Sequence, residues 1–96
     1  MATRPDIDLP SKDWVDVNSH PELNIPVGSA VKLVNKGDDV IMVAESDTEP
    51  TEDNFGLPLM AMAAGTAYSV IDVSAGSARI WVRSTDGHGR LSVQKV

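Results

Sequence analysis

Ninety-six residues make one domain with a single thin core, since a chain of this size hides only about 60 to 70% of its unfolded surface on folding. Apolar residues make up 42% but aromatics only 4%, so valine, isoleucine, leucine and alanine must fill that core, and small branched side chains favour sheets over helices. A net charge of -6 with a pI near 4.6 repels phosphate backbones and anionic membrane surfaces, and the absence of cysteine excludes disulfides and thiolate metal sites.

The opening MATRPDIDLPSKD mixes prolines with charges and has neither helical nor alternating periodicity, which predicts an extended N-terminal arm over 1–13 ahead of a domain over 14–96. Ile7 and Leu9 stand two apart and face the same way in an extended chain, so such an arm can lie against a neighbour. MATRPDIDLP contains no apolar h-region, and nowhere do about 18 apolar residues run together, so the expected place of synthesis and residence is the cytoplasm.

From Trp14 the chain reads as short strands. WVDV comes first, then a loop NSHPELNIPVG rich in proline and turn formers. SAVKLVN is the clearest early strand, with Val31 and Leu33 on one face and Lys32 and Val34 on the other. Asn35 to Asp38 should turn it tightly into VIMVA, a hairpin. The acidic run ESDTEPTEDNFG must be a solvated loop; as a calcium site it lacks the EF-hand spacing, glycine and bidentate glutamate. In GLPLMAMAAGTAYSVIDV, a two-turn helix and a strand are both compatible with residues 57–64. We favour a strand on alternation, which puts Met60 and Met62 on one adaptable contact face.

SARIWVRS then alternates Ala78, Ile80 and Val82 with Arg79, Trp81 and Arg83. With the aliphatic face inward, Trp81 is expected to lie outward between two guanidinium groups, in reach of cation–π stacking. TDGHGR should close a second hairpin onto RLSVQKV, with Leu91 and Val93 inward. In total, about seven or eight short antiparallel strands with turns every 8 to 12 residues predict an all-β domain, a small β-sandwich or β-barrel.

The inventory for chemistry is thin. His20 and His88 lie in turns, no HxxxH or HExxH spacing exists, and paired carboxylates occur only in the acidic loop, a poor support for glycoside cleavage. No enzyme, cofactor, metal site, nucleic-acid partner or membrane partner is expected. Trp14 and Trp81 could serve as sugar-stacking platforms or simply cover the ends of a small core.

The run GSAVKLVNKG (28–37), its continuation VIMVAE (40–45), Pro50, FGLPL (55–59) and AGSARIWVRS (75–84) resemble small β-rich virion proteins of tailed bacteriophages, over most of 28–95. The resemblance implies a structural virion component, made in the host bacterial cytoplasm. Foremost is a capsid decoration (cement) protein on the outer surface of the head, its partners the major capsid protein or other virion proteins, its expected state a homo-oligomer with a trimer favoured. A tail or head–tail accessory protein, or a carbohydrate-binding module on a tail or fibre, is the alternative. The residues expected at partner or oligomer contacts are Ile7, Leu9 and Trp14, the pair Met60 and Met62, and the face of Arg79, Trp81 and Arg83.

Overall fold

The structure, a computed structural model, describes residues 6–37, 39–51, 56–59, 70–76 and 78–95. They form eight strands, all paired antiparallel: β1 (Ile7–Leu9), β2 (Val15–Asp16), β3 (Val31–Asn35), β4 (Ile41–Glu45), β5 (Leu57–Leu59), β6 (Val70–Val73), β7 (Ile80–Ser84) and β8 (Gly89–Lys95). No α-helix occurs among the described residues. The strands make two open four-stranded sheets, β1-β8-β3-β6 and β2-β7-β4-β5, so of the two architectures expected the sandwich is the one adopted.

The order is systematic. β1 pairs with β8, β2 with β7, β3 with β6 and β4 with β5, as in one long hairpin whose two arms are rolled up until β8 meets β3 and β7 meets β4. This is the jelly-roll winding, which leaves only short edge strands. Pro58 sits in β5, an edge, where its missing N–H costs the ladder nothing.

Neither expected hairpin exists. β3 and β4 lie in opposite sheets, as do β7 and β8, so each of these two connections is an arch that carries the chain across the core. The cause is polar side chains at the inward parity. Asn35 continues the buried face of Val31 and Leu33, and Ser84 that of Ile80 and Val82; both are fully buried at their strand ends. Asn35 Nδ2 donates to the carbonyls of Asp39 (2.7 Å) and Leu59 (3.0 Å), and Asn35 Oδ1 accepts from Gly37 N–H. Asp39, 8% exposed, accepts from Ser84 Oγ at 2.9 Å and from His88 N–H at 2.8 Å. The two arches are joined as well as closed: Asp39 of the first accepts the His88 N–H of the second, and Thr85 of the second donates its N–H and hydroxyl to Val40 O of the first.

Of the expected N-terminal arm, residues 1–5 lie outside the described residues, and Ile7–Leu9 do not extend away from the domain. Ile7 and Leu9 are each 1% exposed, inside the core, because β1 pairs with β8 in the register Ile7↔Leu91 and Leu9↔Gly89. Asp6 holds this strand from outside, 3.0 Å from Lys36 Nζ and 3.4 Å from Arg90 Nε. The core is aliphatic: Leu33, Leu91 and Val93 of one sheet face Ile41, Leu59, Ile80 and Val82 of the other. Each such side chain contributes about 1.5–3 kcal/mol by its burial. Its end is plugged from the β2–β3 connection by Val17, expected in the strand WVDV but found in a 3₁₀ turn, and by Leu23 and Ile25, which read from sequence as loop. Asn18 fastens the plug, donating from Nδ2 to Ile25 O and accepting the N–H of Ile80.

Candidate interaction surfaces

The Arg79, Trp81, Arg83 face lies on the outside of the β2-β7-β4-β5 sheet, and each member fastens a different neighbour. Arg79 Nη1 reaches Asp16 Oδ2 at 2.7 Å and Ser19 Oγ at 3.0 Å. Asp16 also caps the 3₁₀ turn Val17–Ser19, its Oδ1 accepting from the N–H groups of Asn18 and Ser19. Trp81 is half-buried and gives its indole N–H to Ser46 O at 2.9 Å, pinning the start of the acidic loop. Arg83, only 7% exposed, donates from Nε to Lys12 O at 2.8 Å, holding the β1–β2 connection. The face expected to be outward and free is therefore a clasp across three connections, and Arg83 is not a solvent-exposed flank of Trp81.

The remaining expected contact residues are scattered. Ile7 and Leu9 are core residues, inaccessible to a neighbour while β1 is docked on its own chain. Trp14 is half-buried in the β1–β2 connection, and its buried Nε1 has no hydrogen-bond partner among the described residues. Met60 and Met62 lie outside the described residues, as does the choice between helix and strand beyond Leu59. The structure gathers Arg79, Trp81 and Arg83 on one face and brings Ile7 together with Leu9, but does not join these groups into one patch.

Two surfaces were not anticipated. The sheets part along β5 and β6, leaving a cleft of about 290 Å³ lined by Val43, Leu57, Ile71 and Val73, with Glu45 and Asp72 at its rim. Leu57 shares the inward parity of Leu59, yet it is 65% exposed where Leu59 is 2%, because it stands where the sheets diverge; Val70 on β6 is exposed as well. Beside this opening the acidic loop presents Glu45, Asp47 and Glu49, all exposed. The second surface is the arch end itself, with Lys36, Asp86, His88 and Arg90 exposed around the buried Asn35, Asp39 and Ser84. A signal for that network was present in the sequence: a polar residue at the inward position of an otherwise aliphatic alternation, twice, at two strand ends.

The polar groups of the arches and turns are hydrogen-bonded within the chain. Ser84 Oγ donates to Asp39 and accepts from the N–H groups of Gly87 and His88, leaving no histidine or lysine base upon it. His20 accepts the N–H of Glu22 through Nδ1 within its own turn. Among the described residues no three histidine, aspartate or glutamate side chains converge as a metal site would need, and no helix is long and apolar enough to cross a membrane. No protein-family model, curated protein or solved structure matches this chain.

Proposed function

We propose that this protein is a structural component of a tailed-phage virion, in particular a capsid decoration protein that binds the assembled head shell from outside and bridges its subunits. The strand order carries this proposal. A jelly roll is an architecture that viral coat proteins use, and this one devotes its polar side chains to fastening its own connections. The resemblance in residues 28–95 to small virion proteins supports the same role.

A ligand that binds only the assembled state stabilises it by mass action, about 2.7 kcal/mol per site at a hundredfold excess over Kd, with no bond made or broken. The exposed edges β5 and β6, with Leu57 and Val70, supply apolar surface for such contact. The acidic loop beside them favours a basic patch on the shell. Oligomers, trimers above all, would multiply weak contacts at symmetry positions.

Co-sedimentation with head shells assembled without the protein tests this directly. Saturable binding of hundreds of copies per shell, with a raised temperature of shell disruption, is expected. A few copies per purified particle, measured by gel densitometry, would assign it to the tail or head–tail region instead. Failure to sediment at all would remove the shell role.

A further inference from the structure

We infer that β1 is exchangeable: in pairs or rings of this chain, Ile7–Leu9 of one copy docks on β8 of the next, in the same register it takes on its own. This goes beyond shell binding and does not depend on it. All that holds β1 is supplied by distant parts of the chain, which a second copy presents identically. Among the described residues its ladder is to β8 alone; Leu9 fits over Gly89, where an added Cβ would come within 3.2 Å of the Leu9 Cβ; and Asp6 is gripped by Lys36 and Arg90. Exchange therefore loses no contact within the strand, and only the connection Pro10–Trp14 has to change.

That connection favours opening on two counts. Pro10 fixes its own φ and biases Leu9 toward extended backbone, so the exit from β1 runs onward and resists turning back. Trp14, at the far end, has a buried indole N–H with no acceptor among the described residues, an unfavourable arrangement that opening the connection would relieve by giving it water. The bond from Arg83 Nε to Lys12 O is the counterweight, holding the connection closed.

Asp8 and Arg90 are direct partners in this register, both exposed, and the chain has no cysteine. Partner Cα atoms in antiparallel strands are about 4.5–5.5 Å apart, within disulfide range. The test mixes isotope-labelled Asp8→Cys chains with unlabelled Arg90→Cys chains at high concentration, passes them through mild denaturant and back, oxidises them, and maps the disulfides by mass spectrometry. The double variant D8C/R90C, oxidised at low concentration, serves as reference and should close on itself. Expected from the mixture is a covalent dimer with position 8 of a labelled chain joined to position 90 of an unlabelled one. Only 8-to-8 or 90-to-90 links in the mixture, beside a double variant that closes internally, would overturn exchange. A double variant that forms no internal link would overturn the register and the inference with it. Shell binding enters neither readout, so the two proposals fail separately.

Discussion

Asp39 is the residue on which the two arches depend, because its carboxylate and carbonyl together serve Asn35, Ser84 and the backbone of His88. Replacing it with alanine would leave the Ser84 hydroxyl without its acceptor and strand the N–H of His88 partly satisfied, by Ser84 Oγ at 3.1 Å. Each buried group so stranded costs about 1–3 kcal/mol, so Asp39→Ala is expected to lower stability by about 2–4 kcal/mol in urea denaturation. Surface pairs behave differently. In the ion pair of Asp6 with Lys36 the lysine side chain is 41% exposed and Asp6 keeps Arg90 as a second partner, so replacing Lys36 should cost less than about 1 kcal/mol. The contrast in magnitude follows from burial, which removes the water that would otherwise substitute for a lost partner.

At the scale of elements, the alternation of apolar and polar side chains was readable and the partner of each strand was not. Val31, Leu33, Ile80, Val82, Leu91 and Val93 all face inward as their parity requires. A period of two says which face is buried, however, and is silent on which strand lies alongside. Turn residues misled for a related reason: Asn, Gly and Asp suit a tight hairpin and an arch equally, since both use local side-chain acceptors and either can take a glycine at positive φ. Gly87, with φ of 84°, serves an arch. It follows that β7 and β8 have no ladder to each other and that a peptide of residues 78–95 should not fold alone. Circular dichroism and amide chemical shifts of that peptide are expected to be those of an unfolded chain. A hairpin pairing residues 80–84 with 89–93 would contradict the arch.

For the whole molecule, winding decides both kinetics and the surface on offer. Of the six strand pairings among the described residues, β4–β5 alone joins consecutive strands; the others close long stretches of chain, β1 with β8 the longest. Loop-closure entropy has to be met before those contacts form, so stopped-flow refolding, followed by the fluorescence of Trp14 and Trp81, is expected in the range of milliseconds to seconds. Refolding in microseconds would contradict a non-local topology. The same winding places the β5 and β6 edges side by side with exposed Leu57 and Val70, and the acidic loop next to them. That grouping belongs to no segment of the sequence.

Composition and periodicity alone determined that this chain is an all-β domain with an aliphatic core, and which side chains of its main strands turn inward, because burial of small branched residues depends on local alternation. Only the tertiary structure decided that the strands wind as a jelly roll, that β1 is part of the core, and that Arg79, Trp81 and Arg83 clasp connections of their own chain. Those outcomes rest on contacts between residues tens of positions apart, and on buried polar groups whose partners exist only once the two sheets have met.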